Sequence, residues 1–392
     1  MTLHESIIGI PFYQVEKVIK SEPITYLVRF TGKVSCPRCG GTKLRNKDSF
    51  TRHIRHWSLG GGKPVFLAIR ASKYLCFSCK RYFNTRFEGI LPYKRFTECF
   101  RREVFEKHHQ GFTQKTVAES LRISPTTVES WYQDFLKRKI AEKKNNPFPR
   151  VLGIDEHFFS RKNGYATTFC DLSRRKVYDV VLGRSENALR PYLNSIENKK
   201  QVRVAVMDLS DTYRSIVKHH FPNALIVADR FHVIRLINHA FLRSWNQLDP
   251  IGRRNRGLLS LMRRKGLNLS DSQRVNLKQY FEKHPGLEAI YDFKENLNAL
   301  MCMKHQTARS LRKLIPQLLK AIDQLLECPI EALQTLGRSL QSWQTEIARM
   351  WRFTRTNSIT EGLHNKMEVI SRRAYGFKNF QNYRIRVKAL CG

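Results

Sequence analysis

The run Val202-Arg-Val-Ala-Val-Met-Asp208-Leu-Ser-Asp-Thr-Tyr213 decides how this chain is read. Val202, Val204, Ala205, Val206 and Met207 make a nearly continuous apolar stretch, the signature of a strand buried on both faces. Asp208 closes that stretch, so its carboxylate falls at the carboxyl end of a strand, where open α/β sheets place their chemistry. A plainer role competes: Asp208 as the cap of the helix that follows. Its company elsewhere in the chain has to decide between them.

Similar stretches lie on both sides. Val151-Leu-Gly-Ile-Asp155 is another short apolar strand that reaches an acid, and Ala224-Leu-Ile-Val-Ala-Asp229 is a third. Between them, 164–172 and 176–183 are rich in β-formers, while 185–196 and 211–220 carry helical periodicity. Three strands, helix, strand, helix, strand is the element order of a ribonuclease H-like α/β core. In that order the first and fourth strands are neighbours, so Asp155 and Asp208 should end adjacent strands. From about 231 to 352 the pattern is helical, with a basic band at Arg253, Arg254, Arg256, Arg263, Arg264 and Lys265. Its leucine-rich part, 299–326, reads as helix core. We take 231–352 as a helical insertion within a domain spanning 150–392. Beyond it, Thr356-Asn-Ser-Ile-Thr360-Glu361 opens a helix whose Leu363, Met367 and Ile370 share one face. Glu361 is placed to face the two aspartates, or merely to offset the helix dipole. Asp211 and Glu368 are the nearby acids that rival Asp208 and Glu361.

Upstream, 141–150 is charged and then rich in Asn and Pro, a domain boundary. Residues 91–145 read as helices broken at Gly111, with Thr113 capping 114–121, a turn at 122–125, and a second helix carrying Val128, Trp131, Tyr132, Phe135 and Leu136 at helical spacing. This is the helix-turn-helix pattern, in which Thr126, Thr127, Glu129 and Ser130 would meet the major groove of DNA. An ordinary helical hairpin has the same local signals. Residues 1–90 contain Cys36-Pro-Arg-Cys39 and Cys76-Phe-Ser-Cys79, two knuckles able to supply the four thiolates of a structural zinc site. A strand at 64–70 occupies part of the long interval between them. His53 and His56, in the same interval, read as exposed basic groups near DNA, among many Lys, Arg and aromatic residues.

Composition agrees with these local readings. Lys and Arg number 70 against 33 Asp and Glu, a formal charge of +37 spread over the 392 residues. A surface of that sign suits nucleic-acid phosphate. A basic membrane-surface protein would need an amphipathic anchor or lipidation signal, and neither is visible. No stretch approaches the ~20 apolar residues of a membrane span, and the first residues lack a signal-peptide pattern. A cytoplasmic, nucleoid-associated protein with reduced thiols is expected.

Together, Gly153-Ile-Asp155-Glu, Val206-Met-Asp208-Leu-Ser, Val227-Ala-Asp229-Arg-Phe-His232 and Asn357…Glu361-Gly-Leu-His-Asn-Lys resemble the bacterial insertion-sequence transposases with an Asp-Asp-Glu active site, most closely the ISL-three group. The resemblance covers nearly the whole chain. It implies a ribonuclease H-like catalytic domain with a helical insertion between the second and third acids. Asp155, Asp208 and Glu361 would then hold two Mg²⁺ (or Mn²⁺) ions, with Asp155 shared between them. Asp229 and His232 would support the site or touch DNA. The implied partners are double-stranded DNA, as terminal inverted repeats and as target, and at least a second copy of the chain when two ends are joined. The implied activity is strand cleavage followed by strand transfer. A structure-selective nuclease of the same fold and a DNA-binding regulator without catalysis are the alternatives.

Overall fold

In the computed structural model, residues 8–142, 147–353 and 358–392 are described. The chain divides into two units, Met1–Glu142 and Lys143–Gly392. The division falls inside the charged, Asn- and Pro-rich run of the sequence.

In the first unit, long alternating segments form β1 (Tyr13–Ser21), β2 (Ile24–Phe30), β3 (Leu44–Leu59), β4 (Lys63–Cys76) and the short β5 (Tyr82–Asn84). The path is β1-β2-β4-β3, with β5 beside β4. Val65, Leu67, Ile69 and Ala71 alternate along β4 and point one way, into a core shared with Tyr13, Val28, Ile54 and Phe87. The expected strand at 64–70 is therefore the middle of a longer one. β3 and β4 make a hairpin whose open end pairs Leu44 with Cys76 and whose turn pairs Leu59 with Lys63. His56 departs from expectation. It lies two residues beyond the inward-facing Ile54, is 1% exposed, and its Nδ1 is 2.9 Å from the Thr97 hydroxyl. Burial pushes its pKa down to about 4, so it is a neutral core group. His53, by contrast, is exposed.

Three helices follow in the same unit: α1 (Glu98–His109, capped by Thr97), α2 (Gln114–Leu121, capped by Thr113) and α3 (Pro125–Glu142). Arg122 takes a left-handed φ of 53° to end α2, and the Ser124 hydroxyl accepts from the Thr127 amide at 3.1 Å to start α3. Phe100, Val104, Val117, Leu121, Val128 and Trp131 fill the space between the helices.

The second unit is built on β6 (Val151–Ser160), β7 (Gly164–Asp171), β8 (Lys176–Leu182), β9 (Val204–Met207) and β10 (Leu225–Ala228). Sheet order is β10-β9-β6-β7-β8, with β6, β7 and β8 antiparallel in turn and β6, β9 and β10 parallel. The first and fourth strands of the unit are neighbours, as the element order anticipates. Both faces are covered. Leu152, Ile154, Ala205 and Met207 pack under α4 (Glu186–Ser195) and α5 (Asp211–His220). Val204, Val206 and Val227 face a larger core made with the later helices.

Those helices are α6 (Arg230–Leu248), α7 (Pro250–Arg254), α8 (Arg256–Arg263), α9 (Asp271–Glu282), α10 (Pro285–Cys302), α11 (Ala308–Glu327), α12 (Glu331–Ser342) and α13 (Gln344–Met350). Arg230, at the first turn of α6, clasps the insertion shut. Its guanidinium donates to the carbonyls of Met301, Met303 and Met350 at 2.9, 3.0 and 2.9 Å. In the leucine-rich stretch, Leu314, Leu318, Ile322 and Leu325 are core, but Ile315 and Leu319 of the same helix are exposed. The chain returns to the sheet as α14 (Ser358–Arg373) and α15 (Phe380–Cys391).

Candidate active site

Parallel pairing brings the two aspartates together. The β6–β9 ladder ends at Ile154↔Met207, so the next residue on each strand is an acid. Asp208 stands past the last residue of β9. Asp155 does not end its strand as expected, because β6 runs on to Ser160 against β7 alone. Nor does Asp208 cap α5; the hydroxyl of Ser210 accepts from the Tyr213 amide instead, at 3.4 Å. Its carboxylate is therefore left for other work.

The ligand-bearing atoms of Asp155, Asp208 and His232 all lie within 4.8 Å of one another. His232 Nε2 is 3.0 Å from Asp208 Oδ1 and 3.6 Å from Asp229 Oδ2. Asp229 follows β10, caps α6 by accepting from the Phe231 amide, and is 1% exposed. The Asp229-x-x-His232 spacing puts both side chains on the first turn of one helix, at the mouth of the sheet. His232, expected as a supporting residue, thus sits within ligand distance of both aspartates.

Crowding of buried carboxylates has an electrostatic consequence. Burial first, then the negative charges of Asp229, Glu156 and Glu361, raises Asp155 to about 7, against an opposing amide hydrogen bond from Glu156. Burial followed by Asp155, Asp229 and Glu156 raises Asp208 to about 8, against the pull of Arg235. Burial, and then Arg235, lowers His232. Asp155 Oδ1 is held by the Glu156 amide at 2.8 Å.

Glu361 occupies the exposed first turn of α14, outside the Asp155–Asp208–His232 cluster. Its charge still reaches Asp155 and His232. Gly153 brings it that near. A β-carbon there would lie 2.8 Å from Leu172 Cδ2 and 3.1 Å from the Thr360 hydroxyl, so glycine lets α14 sit this close to β6 without crowding either side chain. Thr356 and Asn357, part of the expected capping cluster, lie outside the described residues. Of the rival acids, Asp211 is an exposed partner of Arg214 on the wall of the cleft that Asp208 shares, and Glu368 pairs with Arg372 at 2.6 Å.

Two groups at the site escaped sequence reasoning. Glu156 faces the other side of β6 and meets Arg184 at 3.3 Å. His364 Nδ1 lies 3.6 Å from Asp155 Oδ2. Its spacing, three residues after Glu361 on a helix, was the available signal. Asp208 and His232 open onto a cleft of about 960 Å³, where Arg184, Arg235 and Arg338 stand among the acids Glu156, Asp208 and Asp211. α12 of the insertion supplies its far wall through Thr335, Arg338, Ser339 and Ser342.

In the first unit, Cys36, Cys39, Cys76 and Cys79 converge, with all four sulfurs within 4.8 Å of one another. The hairpin register places Cys76 opposite Leu44, so its open end brings the two knuckles together. Cys36–Cys79 and Cys39–Cys76 are each 3.6 Å apart, close to the roughly 3.8 Å edge of a tetrahedron with ~2.3 Å metal–sulfur bonds. Amides of Arg38 and Cys39 lower the Cys36 thiol, and those of Cys79 and Ser78 help bring Cys76 to about 6, whereas Cys39, against the Gly41 amide, is pushed up to about 12 by the neighbouring sulfurs, Cys76 first, and by burial. On α3, Thr126 and Ser130 are exposed, whereas Thr127 and Glu129 are half-buried.

Adjacent acids at a sheet mouth, three arginines in the cleft beside them and a helix-turn-helix elsewhere in the chain define a DNA-processing enzyme. A family model described as transposase, of the Asp-Asp-Glu ISL3 type, matches residues 152–387, and one described as the helix-turn-helix domain of transposase family ISL3 matches 86–136. The chain belongs to the ISL3 family of transposases, and DNA transposition is its function. It is similar to the transposase for insertion sequence element IS1001 of Bordetella parapertussis, at 24% identity over 99% of this chain and 97% of that one. It is also similar to the transposase for insertion sequence element IS1557 of Mycobacterium tuberculosis, at 21% identity over 70% and 71% of the two chains.

Proposed function

We propose that residues 150–392 form a ribonuclease H-like catalytic domain whose Asp155, Asp208 and Glu361 are the catalytic carboxylates. The chain would use them to cut DNA at the ends of its element and join those ends to a target. The observation that carries this reading is the Ile154↔Met207 pairing, which sets Asp155 beside Asp208. Two carboxylates pushed to about 7 and 8 by burial and mutual repulsion are a site short of positive charge, which suits divalent cations. Asp155 and Asp208 would hold Mg²⁺ or Mn²⁺ together with Glu361, an oxygen donor better matched to such hard ions than the His232 nitrogen. Bound as a pair, the ions would activate water and then the freed 3′-hydroxyl for attack on phosphorus, and stabilise the departing 3′-oxygen.

The protein's own groups do the positioning. The Glu156 amide holds Asp155 Oδ1 and His232 Nε2 stands 3.0 Å from Asp208 Oδ1, while Arg184, Arg235 and Arg338 would grip the phosphates of the strand in the cleft. The four cysteines would bind structural zinc. Residues 1–90 and 91–145 would recognise the element's terminal inverted repeats, with Thr126, Thr127, Glu129 and Ser130 towards the bases. Joining two ends calls for at least a dimer.

Incubating DNA that bears the element's ends with the protein, in Mg²⁺ and then in Ca²⁺, tests the assignment. Wild type should give cut ends and joined donor–target product in Mg²⁺. Asp155→Ala, Asp208→Ala and Glu361→Ala should bind the ends and leave them uncut. Cleavage by the Asp208→Ala protein would falsify the proposal.

A further inference from the structure

Behind Asp155 runs a chain of buried polar groups that the catalytic proposal does not use. His364 of α14 has Nδ1 at 3.6 Å from Asp155 Oδ2 and Nε2 at 3.1 Å from the Thr168 hydroxyl. The same hydroxyl is 3.0 Å from His157 Nδ1, and His157 Nε2 is 2.9 Å from the phenol of Tyr383 on α15. Thr168 is fully buried and Tyr383 is 3% exposed. Alternation along β6 places Asp155 and His157 on one face, and Thr168 is the register partner of Asp155 on β7. The sheet thus lines these groups up beneath α14 and α15.

The direction of the hydrogen bonds follows from counting protons. Each neutral imidazole has one N–H and one lone pair, and Thr168 has a single hydrogen to give. If His157 donates to Thr168 and Thr168 donates to His364 Nε2, then His364 presents N–H to the Asp155 carboxylate. His157 Nε2 is then an acceptor, which the Tyr383 hydroxyl fills as donor. Every other assignment that keeps both Thr168 contacts as hydrogen bonds aims the His364 Nδ1 lone pair at the ionised carboxylate. At 3.6 Å the contact is longer than a formed hydrogen bond, but near enough that N–H attracts the carboxylate and a lone pair repels it. Both imidazoles are largely shielded from solvent, where the uncharged ring is the cheaper form.

We infer that His364 is a positioning residue for Asp155, and that its polarity is set through Thr168 and His157 by Tyr383 on the last helix. Asp155 then has Oδ1 fixed by the Glu156 amide and Oδ2 faced by His364, leaving its remaining lone pairs for a cation. This inference rests on the reading of Asp155 as a metal-holding carboxylate.

The test measures Mn²⁺ binding to the full-length chain by electron paramagnetic resonance of the free ion, without DNA. Asp155→Asn should remove the binding; if it does not, the metal reading itself fails. His364→Ala should weaken binding by about 10–100-fold, the usual cost of losing such a support. Tyr383→Phe deletes only a hydroxyl and should weaken it several-fold. His364→Asn keeps an amide N–H where Nδ1 stands but cuts the link to Thr168. It should retain more affinity than His364→Ala, and adding Tyr383→Phe to it should change nothing further. If Asp155→Asn abolishes binding while Tyr383→Phe has no effect, or if the Tyr383→Phe loss persists in full alongside His364→Asn, the inference is overturned. Should His364→Ala fail to fold, the Tyr383→Phe and His364→Asn pair decides.

Discussion

Protons and divalent cations compete for Asp155 and Asp208, and the competition sets a pH signature. Burial, followed by neighbouring negative charge, raises the two groups to about 7 and about 8, above the ordinary carboxyl value. The folded protein therefore holds protons there that the unfolded chain has released. Stability from these groups is complete below the unfolded carboxyl pKa, falls as pH climbs through the interval, and is gone above about 8. Metal-free protein should melt at progressively lower temperature between pH 5 and 8, and Mg²⁺ should restore most of the loss at the upper end. Asp208→Asn should flatten the metal-free profile and blunt the Mg²⁺ response, both readable by thermal unfolding. A metal-free melting temperature that rises over this interval would refute the account. The two aspartates were legible in the sequence because each follows an unbroken apolar strand. His364 was not read so, because its i+3 spacing from Glu361 was the only local signal and its partners, Asp155 and His157 on β6, Thr168 on β7 and Tyr383 on α15, meet it only after folding.

Among elements, α14 depends on a single small residue of β6. Gly153→Ala puts a methyl 2.8 Å from Leu172 Cδ2 and 3.1 Å from the Thr360 hydroxyl, so the Leu172 side chain must turn aside and Thr360 on α14 must give by a few tenths of an ångström. Overpacking of this kind costs about 1–3 kcal/mol. It should also move Glu361 away from Asp155, so cleavage should fall by more than the stability loss explains. Leu172→Val in the same chain, which removes the nearer clashing atom, should recover part of both; a Gly153→Ala protein of full stability and activity would show that the close approach is dispensable. The β3–β4 hairpin makes a second prediction. Wild type should carry stoichiometric zinc by elemental analysis, and Cys39→Ser should lower both zinc content and end-binding while leaving Mn²⁺ binding at Asp155 and Asp208 intact. The knuckles themselves were readable, since C-x-x-C is local chemistry. The hairpin's inward face was less so. His56 has the composition of a DNA-facing residue, yet it shares alternation with Ile54, and the period-2 rule was the better guide.

At the scale of the molecule, the division of labour lies between charge and shape. The sheet order and the helical character of 231–352 were legible because strand length, helix periodicity and acids after apolar strands repeat over many residues. The cleft was not, because its Arg184, Arg235 and Arg338 come from three separated segments and meet only after folding. A charge of +37 attracts any duplex, so affinity for unrelated DNA should fall steeply with salt, with a slope of about −0.9 per phosphate neutralised. Thr126 and Ser130, exposed on the first turns of α3, carry no charge and should add discrimination instead. The double variant Thr126→Ala, Ser130→Ala should therefore lose affinity for the element's ends, by about 1–3 kcal/mol for each base contact removed. It should bind unrelated duplex as before, with an unchanged salt slope. Titrations of both DNAs across a range of ionic strength measure the two terms separately. An equal loss on the two DNAs, or a shallower slope, would mean that these residues touch phosphate and that the bases are read by another part of the first unit.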